Sequence, residues 1–217
     1  DDVDALFKYL STRFSPLNAS LEFSWDEGTS RTSIEECFRK YANLNLKRGL
    51  SDIDYWSSAS QASLQENIAS DDSFEDIFFR VWLKLIEPNL GVSQPEIVFD
   101  YPASMAALAK LKAPEDVWSE RFEVYIKGVE IGNAFSELTD SAEQDRRFRE
   151  ANEQREGLGH PPHPIDQTFI DSVGEMPRTG GIAIGVERLL MVLTGETDIS
   201  QFFLYPLSES SAAVKRT

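Results

Sequence analysis

Cysteine is nearly missing from these 217 residues. The single one, Cys37, excludes an internal disulfide and suits a reducing cytoplasm. It sits in "IEECFRKYA", a helical pattern, and reads as core rather than nucleophile. Histidine is as scarce: His160 and His163 both lie in the Pro-rich "GLGHPPHPID", and two ligands without a third make no metal site. No apolar run approaches the roughly 18–20 residues that span a bilayer, and the acidic opening "DDVDALFKYL" lacks the basic residues of a signal peptide. No membrane is expected. Positive charge is outnumbered, with 21 Lys and Arg against 37 Asp and Glu for a net charge of −16. Such a balance is a poor match to nucleic-acid phosphate. The excess is spread along the chain and so serves mainly to solubilise its surface. No internal repeat is visible, and neither a Walker loop nor a Rossmann turn is present.

What remains is an ordinary globular composition, 41% hydrophobic and 27% charged. "DVDALFKYLSTRF" spaces Val3, Leu6, Phe7, Leu10 and Phe14 as a helix does. The chain opens inside that helix, which suggests a piece of something longer. Ser33 three residues before Glu36 is a capping-box pattern. Residues 44–72 are polar and read as loop plus a short helix. "SFEDIFFRVWLKLIEPNLG" puts Phe74, Ile77, Phe78, Val81, Trp82 and Leu85 on one stripe, with Ser73 as cap and Pro88 and Gly91 as the stop. "EIVFDYP", 96–102, reads as a strand. "SAEQDRRFREANEQRE" is charged almost all round, a solvated helix, and the tail "SSAAVKRT" reads as frayed. Helices alternating with a hairpin and separated strands predict an α+β fold, an antiparallel sheet flanked by helices.

Within it, "RFEVYIKGVEIGNAFSELTD" places Glu123, Glu130 and Glu137 at intervals of seven. Carboxylates repel, so gathering them on one sheet calls for positive charge among them. Strands "RFEVYI" and "VEIGNAF" joined by a two-residue turn at Lys127-Gly128 would pair Ile126 with Val129 and Tyr125 with Glu130. Glu123, Tyr125 and Glu130 then share a face, with the two carboxylates diagonal neighbours roughly 7–8 Å apart. Such a pair can share a hard cation such as Mg²⁺ together with phosphate oxygens. Bringing Asn133, Phe135 and Glu137 to that same face requires one extra residue, a bulge at Gly132. Glu137 and Asn133 would then offer a carboxylate and an amide to a small cationic ligand, with Phe135 as a wall. The plain alternative is an amphipathic hairpin whose acidic face meets water.

"GGIAIGVERLLMVLTG" reads as strand, glycine turn and helix. Glycine at 180, 181 and 185 lets a flat ring lie against the backbone. Arg188, in the first turn of the helix, can clamp a phosphate beside the anion-favouring helix N-terminus. The alternative is a buried strand with Arg188 paired to Glu187 or to the hairpin.

Together and in this order, the two motifs resemble the C-terminal half of a class II aminoacyl-tRNA synthetase catalytic domain of the lysine type. The resemblance covers roughly residues 74–194. It implies ATP and Mg²⁺ on Glu123 and Glu130, and a lysine pocket lined by Asn133, Phe135 and Glu137. It implies further that Arg188 contacts the ATP phosphates in catalysis and that Gly181 and Gly185 floor the adenine site. "YPASMAALAK", "GLGHPPHPIDQ" and Ala183, which stands where synthetases have a glycine, look more like the paralogous branch of that family. Its members pass lysine or β-lysine to a lysine of elongation factor P without tRNA. A methyl group at Ala183 would select substrate shape by ~1–3 kcal/mol.

The chain is thus expected to form one partial catalytic domain over 1–217, a helical and loop region to 72 and a core over 73–207. The family's first motif, through which a parent would form a homodimer, is not in the sequence, nor is its second, which carries an α-phosphate arginine. The 217 residues alone are therefore expected not to catalyse adenylation. A lysyl-tRNA synthetase piece and a non-catalytic nucleotide- or partner-binding domain are the other readings.

Overall fold

The computed structural model describes residues 2–13, 28–114 and 117–203; the C-terminal tail expected to fray lies outside them. Helix α1 (Asp2–Arg13) buries Val3, Phe7 and Leu10, one stripe of the expected pattern. Its Asp4 accepts from the Thr29 hydroxyl at 2.6 Å, tying the helix to the approach of β1 (Ser30–Ser33). Helix α2 (Ile34–Cys37) starts with the expected capping box, Ser33 with Glu36, and runs on as a π-helical turn over Phe38–Ala42. Burial pushes the Cys37 thiol up to about 12, so it is inert core at neutral pH.

The stretch 44–72 is more helical than its polarity suggests. Asn45 caps α3 (Leu46–Gly49) and Asp52 caps α4 (Ile53–Leu64), each through its side-chain oxygen. What holds them is Trp56. Fully buried, it donates to the Phe74 carbonyl and lies so close to Gly49 that an added Cβ there would stand 2.5 Å from its ring. Composition shows polarity, whereas a single buried indole fixed the outcome.

Helix α5 (Phe74–Val81) carries a capping box from Ser73 to Asp76. Its apolar stripe does not simply continue to Leu85. A π-helical turn over Trp82–Ile86 adds a residue to the winding, so Ile86 takes the fully buried position and Leu85 is half-buried. Phe38, Phe78, Trp82 and Trp56 form the aromatic centre, with ring centroids 4.8 Å apart for Phe38–Phe78 and 5.9 Å for the stacked Phe78–Trp82.

Strands β2 (Glu96–Phe99), β3 (Arg121–Ile126), β4 (Val129–Ser136) and β5 (Gly180–Ile184) join β1 in a five-stranded sheet ordered β1-β2-β3-β4-β5. Helices α6 (Ser141–Gly157), α7 (Gln167–Glu175) and α8 (Val186–Thr194) complete the described chain, an α+β fold. The sequence reading foresaw α6 and α8 but not α7. Among the described residues no helix is long and apolar enough to cross a membrane.

Two compact units divide the chain: Asp1–Ile97 with Val124–Gly132 and Ile184–Thr217, and Val98–Glu123 with Asn133–Ala183. In the first, the β3–β4 turn is the predicted two-residue one. Lys127 and Gly128 both have positive φ, 50° and 72°, as a type I′ turn requires. Their amides donate to the carbonyls of Gly91 and Leu90 at 2.7 and 2.8 Å. Gly91 itself has φ +60°, and a Cβ there would stand 2.3 Å from the Tyr125 carbonyl oxygen. In the second unit α6 and α7 pack together, Gly174 lying against Ser141. Arg147 of α6 is held by Glu143 at 2.8 Å and donates to the carbonyls of Ala107 and Ala109, both at 2.9 Å, fixing the 103–109 loop.

Two predictions follow from this packing. Gly91→Ala is expected to destabilise by several kcal/mol, on the order of 3, because it combines a left-handed backbone with a backbone clash. Gly157→Ala, with open space around it, should be neutral or slightly stabilising. Urea titration of both separates the two cases. The second prediction concerns acid. The Arg146 guanidinium, and then Arg147, hold the Glu143 carboxyl down at about 2 from an ordinary 4.5. A depressed carboxylate contributes stability present above pH 4.5 and lost as pH falls towards 2. Melting temperature should therefore drop across that window, and less steeply in Glu143→Gln.

Candidate active site

The three glutamates at seven-residue spacing meet three different fates. Glu123, on β3, is 7% exposed. Its Oε1 accepts from Arg121 Nη2 at 2.7 Å and its Oε2 from the Tyr101 hydroxyl at 2.5 Å. Arg121 reaches further. Its Nε donates to Asn133 Oδ1 at 3.2 Å, its Nη1 to the Met105 carbonyl at 2.8 Å, and its guanidinium lies 4.6 Å over the Tyr101 ring. One arginine thus fixes the carboxylate, the amide and the end of the 103–109 loop. The sequence reading passed over Arg121 because an arginine opening a strand looks like a solvated end. The signal was its place two residues before Glu123, on the same strand face.

Glu130, in the other compact unit, pairs with Arg188. Nη1 of Arg188 donates to Glu130 Oε2 at 3.1 Å and to the Glu130 carbonyl at 3.0 Å. The ion pair with the hairpin that the alternative reading allowed is present, whereas strand β5 is exposed and not buried as that reading had it. Arg188 stands in the first turn of α8, whose N-cap Gly185 has no side-chain cap and donates its amide to the Ile131 carbonyl at 2.9 Å. A Cβ at Gly185 would stand 3.5 Å from Arg188 Cδ, an ordinary contact with the methylenes of that side chain.

Glu137 has neither arrangement. Its amide donates to the Thr179 carbonyl at 2.9 Å and its backbone bridges to Ala109 on the other side, so its position is fixed. A Cβ on Gly181 would stand 3.1 Å from Glu137 Oε1. Yet among the described residues its carboxylate has no hydrogen bond and no ion pair. Phe135 is half-buried on β4, and Gly181 and Ala183 are exposed on β5.

The bulge expected in β4 is present in the register. From Ile126 back to Glu120 is six residues, whereas from Val129 on to Ser136, whose amide donates to the Glu120 carbonyl at 2.9 Å, is seven. The extra residue lies between Val129 and Ser136. Ile131 and Ala134 are accordingly both buried, and Glu130 and Asn133 both half-buried. β3 differs from the simple two-faced strand of the sequence reading: Glu123, Val124, Tyr125 and Ile126 are all buried, so neither face is solvated over that stretch.

Among the described residues no group of three or more His, Cys, Asp or Glu side chains could hold a metal ion. Glu123 and Glu130 each present carboxylate oxygens, the donor type that Mg²⁺ takes.

The Arg121–Glu123 pair, with side chains 17% and 9% exposed, is too buried to be a surface pair of little worth. Arg121→Met leaves a buried carboxylate uncompensated and is expected to cost about 3–5 kcal/mol in chemical denaturation. Arg121→Lys, which restores the charge but not the fork, should recover only part of it.

With this geometry in hand, comparison with known proteins is specific. The profile of the family described as tRNA synthetases class II (D, K and N) matches residues 8–209, reaching well into the first seventy residues. Among curated proteins, three named elongation factor P--(R)-beta-lysine ligase are similar to this chain. That of Yersinia enterocolitica is 34% identical over 194 residues, 85% of this chain and 57% of its own length. That of Proteus mirabilis is 32% identical over 186 residues, 83% and 56% respectively. That of Histophilus somni is 45% identical over 118 residues, 54% and 36%. The chain therefore spans from about a third to just over half the length of these relatives. The chain belongs to the class II tRNA synthetase family of the D, K and N type.

Proposed function

We propose that the protein carrying this chain is a ligase that activates lysine or β-lysine with ATP and transfers it to a lysine of elongation factor P, without tRNA. The observation that carries the reading is the contrast among the three glutamates. Two carry an arginine each, and the third, Glu137, fixed through its backbone, has no counter-charge among the described residues. A half-buried carboxylate in that condition favours a cationic ligand. The ω-ammonium of a lysine-type substrate supplies the charge, and the relatives' names supply the chemistry of the acceptor.

In this reading the acyl-adenylate forms when the substrate carboxylate attacks the α-phosphorus of ATP and pyrophosphate departs. Its carbonyl is then attacked by the acceptor amine, and AMP departs. Glu123 and Glu130 are the residues that would hold Mg²⁺, which neutralises phosphate charge when bound. Arg188 binds the nucleotide phosphates, for which it would exchange part of its contact with Glu130. Asn133, fixed through Arg121, and Phe135 orient the amino acid. Gly181 and Gly185 leave space for a flat base, and Ala183 narrows the substrate's shape. No side chain has to move a proton in the adenylation step, so positioning and charge carry the rate. Adenylation is assigned to the full-length protein, acting as a homodimer in the cytoplasm.

The direct test incubates full-length protein with ATP, Mg²⁺, β-lysine and elongation factor P and weighs the factor by intact-mass spectrometry. A gain of one lysyl unit is expected. No gain, with lysine-dependent ATP–pyrophosphate exchange present in the same sample, would transfer the assignment to tRNA charging. Arg188→Ala should lower exchange at least about 100-fold if it stabilises charge at the phosphates; unchanged exchange would remove it from catalysis.

A further inference from the structure

Helix α6 is charged along nearly all its length, and what it buries is polar as well. Gln144 is 1% exposed, and three residues on, the Arg147 side chain is 15% exposed. Arg147 Nε donates to Glu143 Oε1 at 2.8 Å, and its Nη1 donates to the carbonyls of Ala107 and Ala109, both at 2.9 Å. The second of these carbonyls belongs to a short ladder. Lys110 N donates to the Ser136 carbonyl and Leu138 N to the Leu108 carbonyl, each at 2.9 Å, with Ala109 and Glu137 as the antiparallel bridge between them. At such a non-hydrogen-bonded pair the N–H and C=O of Ala109 point away from Glu137. The N–H goes to the Ala106 carbonyl at 2.7 Å, and the C=O has Arg147. The first carbonyl belongs to a residue outside its ordinary range. Ala107 has φ +50°, a left-handed backbone that alanine, unlike glycine, adopts only at a cost. Such a conformation persists where its surroundings impose it, and here a guanidinium holds that residue and the one two places on.

We propose that Arg147 is a positioning residue for the amino-acid substrate: by holding the carbonyls of Ala107 and Ala109 it sets the ladder from which Glu137 projects. This role rests on the proposed activation of a lysine-type amino acid. Glu137 has Ala109 on one side and the Thr179 carbonyl on the other. Thr179 leads directly into β5, whereas the 108–110 segment is short and follows the left-handed Ala107. That second side is the one free to shift, and the arginine removes the freedom. Among the described residues every hydrogen bond of Arg147 goes to Glu143 or to the two carbonyls, so it acts through the backbone and not on the substrate. Two carbonyls and a carboxylate lie in directions that a planar fork meets together and a single ammonium does not. A displacement of about 1 Å in a group that binds substrate can cost on the order of 100-fold. Glu130 and Arg188, assigned above to the nucleotide, belong to the other compact unit and share none of these hydrogen bonds. Loss of the clasp should therefore be felt by the amino acid and not by ATP.

The test reads ATP–pyrophosphate exchange and amide hydrogen exchange in full-length protein. Arg147→Met keeps an unbranched side chain and removes the donors. It is expected to raise KM for lysine or β-lysine about ten-fold or more, with KM for ATP within about two-fold of wild type. Arg147→Lys, which keeps the charge but not the fork, should fall between the two. Without substrates, the amides of Lys110 and Leu138 should lose protection about ten-fold in Arg147→Met, while those of Lys127 and Gly128 in the other unit keep theirs. Should Arg147→Met fail to fold, Glu143→Ala, which takes away the acceptor at Nε, is read in its place and should raise the same KM about three-fold. KM values for amino acid and ATP that rise together, or a loss confined to kcat, would make Arg147 a structural residue only and overturn the proposal. Unchanged protection at Lys110 and Leu138 would overturn it too, whichever substrate the enzyme takes. If protection falls as expected and yet neither lysine isomer supports exchange in wild type, the clasp stands and the proposed reaction falls.

Discussion

The hydrogen-bonded ion pair of Arg121 and Glu123 is the interaction on which the second compact unit's polar interior depends. Both side chains are largely buried, so removing either one leaves a charge without its compensation. Each hydrogen bond of the guanidinium also spends its fixed fork geometry on a different element: strand β3 itself, Asn133 of β4, and the carbonyl of Met105. A flexible ammonium could replace the charge but not hold the three directions at once. The Tyr101 ring beneath and its hydroxyl at Glu123 Oε2 close the arrangement. The Asn133 amide and the Glu123 carboxylate are thus held in place by the fold itself.

The extra residue in β4 has the same consequence by a different means. Without it, a strand with period two would alternate Glu130 and Asn133 onto opposite faces. With it, the buried positions shift from Ile131 to Ala134, and the polar positions shift with them. Gly132 is where such a shift costs least, having no side chain to misdirect. The bulge is then what allows a seven-residue spacing, which has odd parity and should alternate faces, to serve polar groups along one strand.

Much of this was legible in the residues. The capping box at Ser33, the cap at Ser73, the two-residue turn, the strand–glycine–helix unit and the need for a bulge follow from local rules, and the structure has all of them. The failures share a cause. The helices of residues 46–64 depend on Trp56 filling the space over Gly49, a contact between residues that pattern alone does not relate. The π-turn that exchanges Leu85 for Ile86 leaves no mark in composition. Arg121 and Gln144 were missed because each is polar in a stretch that reads as solvated. Their burial is decided by what packs against them, which a period of 3.6 or 2 does not encode.

Charge balance explains why Glu137 can stand without a partner among the described residues where Glu123 cannot. Glu137 is only half-buried, so water still bears part of its hydration, and its backbone is fixed between Ala109 and Thr179 by hydrogen bonds that do not involve the carboxylate. Its position is independent of having a partner.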